Sequence, residues 1–148
     1  MNLPEYVPAD EVKRICQELG LRDWSALTKA DVSTEEAEAV LAALEVQGMN
    51  IPPEDFRQGL EVELEHGTRF SDANVTNNHP ILTGRIVLAH LKETLDYYKR
   101  LEVAEIEGDL LKAIAAGNAP KIQALYKKLL SAEAVLRTAE MDALADHD

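Results

Sequence analysis

Apolar side chains recur at intervals of three and four residues in one segment after another of this chain of 148 residues. Such spacing places the apolar side chains on one face of an α-helix. The first example consists of Val12, Ile15, Cys16 and Leu19. No segment shows the alternation of apolar and polar residues that is typical of a strand. The sequence therefore predicts an all-α fold, a bundle of five or six helices.

Residues that begin and end helices divide the chain further. Ser33 and Glu36 have the spacing of a capping box, and Gly20, Gly48 and Gly67 are typical residues at which helices end. The predicted helices are 8–19, 33–47, 53–66, 80–107 with a break near Thr94 and Leu95, 109–116 and 119–145. Between the third and fourth helices lies a long Asn-rich loop, about residues 67–79, of the kind that is often functional. We expect one helical domain over residues 1–148.

The charge of the chain restricts its partners. The formal net charge is −12, and residues 1–66 carry 15 acidic against 5 basic side chains. Such a surface repels phosphate, so we expect no nucleic-acid binding through the N-terminal half. No apolar run approaches the roughly 20 residues that span a membrane. The single cysteine, Cys16, is predicted to be a small buried side chain and suits a reducing, cytoplasmic setting.

Two pairs of polar residues fall on the predicted inward faces. Glu63 and His66 are three residues apart on the third helix, and His90 and Glu93 are three apart on the fourth. If the two helices pack antiparallel, the pairs converge. Two carboxylates and two imidazoles are suitable ligands for zinc, manganese or iron, as in helical bundles that hold metals.

The same side chains also suit a structural network without metal. In that alternative, imidazoles bond to carboxylates, and Asn74, Tyr97 and Tyr98 complete the set. A metal-dependent enzyme would need an open coordination position and a cleft, and the sequence shows neither. There is no glycine-rich phosphate loop and no nucleophile elbow, so we predict no catalytic residue.

Residues 55–105 resemble a small family of bacterial and phage domains of unknown function. The resemblance rests on five stretches, VELEHGT (62–68), NVTN (74–77), LTGRI (82–86), AHLKE (89–93) and DYY (96–98). This chain departs from the family pattern at Asn78 and His79, and again at Thr94 and Leu95. The resemblance implies an uncharacterised helical domain without an established activity, to which residues 1–50 and 108–148 add further helices.

These observations lead to three hypotheses of function, of which a metal-dependent enzyme that uses Glu63, His66, His90 and Glu93 ranks last. The first is a non-enzymatic structural, assembly or interaction protein, of phage or bacterial origin, that lies in the cytoplasm or in a virion. It would bind a protein partner or a second copy through the acidic N-terminal half or the last helix, whose apolar residues have a near-heptad rhythm. The second is a helical module that binds a metal or another small ligand through Glu63, His66, His90 and Glu93.

Overall fold

The computed structural model describes residues 7–145, and these residues form six α-helices and no strand. The helices are α1 (Ala9–Leu19), α2 (Thr34–Ala43), α3 (Pro53–Arg69), α4 (Pro80–Glu93), α5 (Tyr97–Ala115) and α6 (Ala119–Ala145). Short 3-10 turns lie at Trp24–Ala26 and Ser71–Ala73. The predicted all-α class is confirmed. None of the described helices is both long enough and apolar enough to cross a membrane.

Three of the predicted boundaries are wrong. Helix α2 ends at Ala43, with Leu44 as its C-cap and Glu45 in a left-handed conformation, and not at Gln47 before Gly48. Helix α3 does not end at Gly67 but continues to Arg69, where the amide of Phe70 donates to His66 O at 2.9 Å. Residues 109–116 do not form a separate helix, because α5 runs through Gly108 without interruption. The predicted break near Thr94 is confirmed, since α4 ends at Glu93 and the next helix starts at residue 97.

The chain divides into two compact units, the first ending at Lys92 and the second beginning at Glu93. The expectation of one domain over residues 1–148 stays a prediction. The first unit has a core of side chains that are at most 2% exposed. They include Val12, Cys16, Trp24, Val32, Ala37, Val40, Phe56, Leu60, Leu64 and Val87.

Glu36 connects three segments of the first unit. The predicted capping box is present, with the amide of Glu36 donating to Ser33 Oγ and the Ser33 amide donating to Glu36 Oε2 at 3.0 Å. The same carboxylate also accepts from the Arg22 guanidinium at 2.8 and 3.0 Å and from Trp24 Nε1 at 3.2 Å. Burial by itself would raise the pKa of Glu36, but the hydrogen bonds from Arg22, Ser33 and Trp24 outweigh it and lower the pKa to about 2. The carboxylate is therefore charged in the folded protein.

Cys16 lies in the same core. Its side chain is 1% exposed, and the backbone amide of Trp24 donates to its sulfur at 3.4 Å. Burial raises the pKa of the Cys16 thiol above its ordinary value. Trp24 itself is fully buried. The prediction of a small buried side chain at position 16 is confirmed.

Gly84 allows α4 to approach α2 and α3 closely. A Cβ atom at this position would lie 2.8 Å from Leu44 Cδ1, 3.0 Å from Val40 Cγ1 and 3.3 Å from Phe56 Cζ. Distances of this kind are shorter than ordinary contacts between carbon atoms. The helices therefore pack around a position that has room for hydrogen only.

We expect Gly84→Ala to lower the free energy of unfolding by about 1–2 kcal/mol, because overpacking outweighs the helix preference of alanine. Urea unfolding followed by circular dichroism measures the change. Gly108→Ala is the matched control, since Gly108 is also inside a helix but has no heavy atom within 4 Å of an added Cβ. A stabilised Gly84→Ala protein would contradict the close approach.

The second unit contains α5 and α6, which pack against each other as a helical hairpin. Gly117 adopts a left-handed conformation with φ 63° between the helices, and Asn118 Oδ1 accepts from the amide of Lys121 at 3.1 Å, which is typical of a residue that caps a helix. The buried cluster of the hairpin consists of Ile106, Leu129 and Ala132. The antiparallel arrangement therefore buries one face of each helix.

Candidate functional site

Hydrogen bonds from asparagine side chains within the segment stabilise residues 70–79, which connect α3 and α4. Asn74 Nδ2 donates to Asn78 Oδ1 at 3.0 Å, and Asn78 Nδ2 donates to Trp24 O at 3.2 Å. Asn77 and Asn78 have left-handed φ angles of 50° and 60°, which asparagine tolerates better than most residues. The Asn78 side chain is 6% exposed. The segment therefore has a defined conformation that depends on side-chain amides.

The side-chain amides of Asn74 and Asn78 pack closely against Gly67. A Cβ atom at Gly67 would be 2.7 Å from Cγ and Nδ2 of Asn74, and closer still to Asn78 Oδ1. Because Asn78 is bonded on its other side to Trp24 O, it has no free direction in which to retreat. Gly67 is therefore needed for the approach of the 70–79 segment to α3 rather than for the end of that helix.

His79 begins α4 from within this segment. Its Nδ1 accepts from the amide of Leu82 at 3.4 Å, and its carbonyl accepts from the amide of Thr83 at 2.9 Å. Its side chain is buried, and Nε2 lies 3.9 Å from Glu11 Oε1. Burial lowers the pKa of His79 and outweighs the opposing effect of the Glu11 charge. A neutral ring is required for this arrangement, since Nδ1 acts as an acceptor.

Glu63 lies between two histidines. Its Oε2 is 3.6 Å from His66 Nδ1, and its Oε1 is 3.5 Å from His90 Nε2. The Glu63 side chain is 10% exposed, whereas His90 is 29% and His66 is 65% exposed. Three of the four predicted site residues are thus brought together. They come from α3 and α4, but the predicted inward position of His66 is wrong, since its side chain is exposed on the surface of α3.

Glu93, the fourth predicted residue, is exposed at the end of α4. The buried face of α4 runs through Thr83, Val87 and Leu91, so the predicted inward position of Glu93 is wrong. Over residues 7–145, no three or more side chains of His, Cys, Asp or Glu are grouped so that they could hold a metal ion. Binding of zinc, manganese or iron stays a prediction that rests on the sequence pattern.

The residues of the predicted supporting network lie in both units. Asn74 belongs to the first unit and is bonded to Asn78, as described above. Tyr97 and Tyr98 belong to the second unit, where their rings meet edge to face with centroids 5.2 Å apart. Tyr98 is 3% exposed. A network that joins the two tyrosines to Glu63 stays a prediction.

A cavity of about 280 Å³ lies beside Glu63 within the first unit. We refer to it as the Glu63 cavity. It is lined by Glu63, His66, Gly67, Phe70, Ala73, Asn74, Val75, Thr76, Thr83 and Ile86. Thr83 is 1% exposed, and its hydroxyl has no hydrogen-bond partner among the described residues. Neither Phe70 nor Val75 was predicted to belong to a site, although two apolar residues within a polar loop are a usable signal.

A second candidate surface lies on α6. Five large apolar side chains of this helix remain exposed, and four of them fall within about 60° of one another by helical periodicity. We refer to these four as the α6 stripe. They are Tyr126, Leu130, Met141 and Leu144, with exposed fractions of 53%, 49%, 71% and 72%. The buried residues Leu129 and Leu136 lie on a different face of the helix and pack in the hairpin.

Comparison with known families shows one family that matches the chain. A family described as "Protein of unknown function (DUF5661)" matches residues 12–107. The chain therefore belongs to this family, as the resemblance implied. The matched region extends further toward the N-terminus than residues 55–105 and includes α1 from Val12 onward, together with α2. Neither the curated proteins nor the solved structures contain a significant match.

Proposed function

We propose that this protein is a structural or assembly protein that self-associates by antiparallel pairing of two α6 helices. The observation that carries the proposal is the α6 stripe, whose four apolar side chains are between 49% and 72% exposed. Extended apolar surface on one face of a helix is typical of a protein interface. The helix has 27 residues and is therefore about 40 Å long, which suits a helix-to-helix contact.

The arrangement of the stripe favours a second copy of the same chain as the partner. In a two-fold antiparallel pair centred on residue 135, residues whose numbers add up to about 270 face each other. Tyr126 then faces Leu144, and Leu130 faces Met141. Each apolar side chain thus meets an apolar counterpart, which is the requirement for an interface that uses the same surface twice.

The charges of α6 support the same direction of pairing. Residues 119–132 carry three lysines and no acidic residue, whereas residues 133–145 carry three acidic residues and one arginine. Antiparallel pairing brings the basic half of one helix to the acidic half of the other, and parallel pairing brings like charges together. Near the centre, Glu133 of one copy faces Arg137 of the other. Charge and apolar pattern therefore favour the same geometry.

Leu130→Glu is expected to convert a dimer of the full-length protein into a monomer. A carboxylate in the middle of the stripe must be desolvated on pairing, which costs far more than the lost apolar contact. Size-exclusion chromatography with light scattering, over a range of protein concentrations, measures the mass relative to the 16.4 kDa chain. Val135→Glu is the matched control, because Val135 is 54% exposed but lies about 180° around the helix from Tyr126.

A charge exchange tests the direction of pairing. Glu133→Arg and Arg137→Glu should each weaken the dimer, and the double variant should restore it, since opposite charges again face each other. A wild-type protein that is monomeric at every concentration would refute the proposal. So would a Val135→Glu variant that dissociates as readily as Leu130→Glu.

A further inference from the structure

We propose that the Glu63 cavity is a binding site for a small protonated amine with an alkyl chain. The cavity lies within the first unit, and the inference is independent of self-association through α6. Three properties of its lining support a ligand of this class. They are the sign of its charge, its hydrogen-bond acceptors and its apolar rim.

The charge of the lining favours a cation. The Glu63 side chain is 10% exposed, so its carboxylate is screened by water far less than a surface carboxylate. The side chains that line the cavity, all in the described part of the chain, include no lysine or arginine. The contacts with His66 and His90 are ion pairs only where the rings are protonated. An anion would therefore meet repulsion, and an ammonium group would meet attraction.

The polar atoms of the lining suit a group that donates several hydrogen bonds. The buried hydroxyl of Thr83 has no partner among residues 7–145, while its backbone amide is already bonded to His79 O. Such a hydroxyl gains a hydrogen bond when a donor enters. The amide nitrogen of Asn74 is held by Asn78 Oδ1, which fixes the orientation of the side chain. Thr83, Asn74 and Glu63 thus supply oxygen acceptors, and an ammonium group has three donors.

The rim of the cavity suits an alkyl chain. Phe70 and Val75 line it and are 55% and 66% exposed, and Ile86 belongs to the same lining. An aromatic ring at such a site also attracts a cation to its face. The volume of about 280 Å³ lies near the lower end of the range for ligand pockets. It corresponds to roughly nine water molecules at about 30 Å³ each, which is enough room for a short amine.

Titration of the full-length protein with n-butylamine at pH 7 tests the inference. Saturable shifts of the NMR amide signals of Gly67, Asn74 and Thr83 are expected. Butanol and butyrate have the same chain length, and they separate the contribution of the positive charge from that of the alkyl chain. Butanol should bind at least about tenfold more weakly than the amine, and butyrate should not bind, since charge complementarity carries most of the affinity. Equal binding of butanol and butylamine, or no saturable shift with the amine, would overturn the proposal.

Variants locate the site. Glu63→Gln should weaken butylamine binding about tenfold or more, because it removes the charge and keeps the shape. Glu65→Gln is the matched control: it removes the same charge two residues away, where Glu65 pairs with Arg69 at 2.5 Å, and should leave binding within about twofold. Thr83→Val replaces the hydroxyl with a methyl group of similar size and should weaken binding several-fold without lowering the melting temperature. If Glu63→Gln does not fold, the binding of butylamine to Thr83→Val tests the site in its place. Equal effects of the two Gln variants, or no effect of Thr83→Val, would contradict the assignment.

Discussion

Replacing Glu36 with alanine is expected to lower the free energy of unfolding at pH 7 by about 2–4 kcal/mol. The carboxylate accepts hydrogen bonds from Arg22, from the amide of Ser33 and from the buried indole of Trp24. Its removal leaves the indole N–H, in a side chain that is fully buried, without an acceptor. The capping of α2 is lost at the same time. One change thus removes several contacts that join different segments.

Urea unfolding at neutral pH measures this loss, and Glu38→Ala is the matched control. Glu38 lies on the same helix two residues further along and is exposed, so its replacement should change the free energy of unfolding by less than about 0.5 kcal/mol. If the two variants lose the same amount, Glu36 does not connect the segments as described.

Lowering the pH should remove the contribution of Glu36 to the free energy of unfolding over a defined pH range. Its pKa in the folded protein is about 2, below the ordinary 4.5, so the unfolded chain binds the proton more readily. The ionised Glu36 carboxylate therefore contributes about 3 kcal/mol to the free energy of unfolding. This contribution is fully present above pH 4.5 and is lost as the pH falls toward 2. The difference in unfolding free energy between wild type and Glu36→Ala should narrow between pH 6 and pH 3. A constant difference over this range would contradict the lowered pKa.

Gly67→Ala is expected to lower the free energy of unfolding by about 2–3 kcal/mol. Two effects oppose each other here. Alanine favours a helix over glycine by about 1 kcal/mol, but the new methyl group meets the side chains of Asn74 and Asn78. Asn78 is buried and bonded to Trp24 O, so it cannot move aside without losing that bond. We therefore expect overpacking to outweigh the helix preference of alanine, so that the free energy of unfolding decreases.

The control is again Gly108→Ala, at a helix position with open space around the added Cβ. This variant should gain about 0.5–1 kcal/mol, since only the conformational preference changes. Thermal unfolding of both proteins in the same buffer compares them directly. A Gly67→Ala protein as stable as Gly108→Ala would show that the asparagines adapt and that the 70–79 segment is not fixed to α3 in the manner described.

The helices could be predicted because their determinants are local. The capping box at Ser33 and Glu36, the end of α1 at Gly20 and the cap at Asn118 all depend on residues within one turn. The role of Gly67 could not be predicted in this way. A glycine after a helical stripe favours a helix end by local rules, but here the decisive contact comes from Asn78, eleven positions later.

The candidate site was predictable in part for the same reason. Glu63 and His66 are on one turn of α3, and His90 is on the face of α4 that turns toward them. The orientation of Glu93 depends on which of two adjacent stripes of α4 is buried, and the core selects the stripe of Val87 and Leu91. The packing between helices determines which stripe is buried, and the apolar pattern of one helix does not contain this information.

Glu61 illustrates a contact that depends on distant parts of the chain. On the helical pattern alone it points to solvent, but in the fold its side chain is only 27% exposed. It accepts from the amide of Val32 at 3.1 Å and from Arg57 at 2.5 Å. Val32 precedes α2 and lies 29 positions away, so the spacing within α3 gives no indication of the contact.

Because Cys16 is buried, the reaction of its thiol with a labelling reagent reports partial opening of the first unit. Thiol reagents attack the thiolate, and a thiol that is 1% exposed with a raised pKa offers almost none of it in the closed state. Labelling therefore requires the packing around α1 to open first, and its rate in native buffer measures how often this occurs. The hairpin of α5 and α6 contains no cysteine, so the modification follows the opening of the first unit alone.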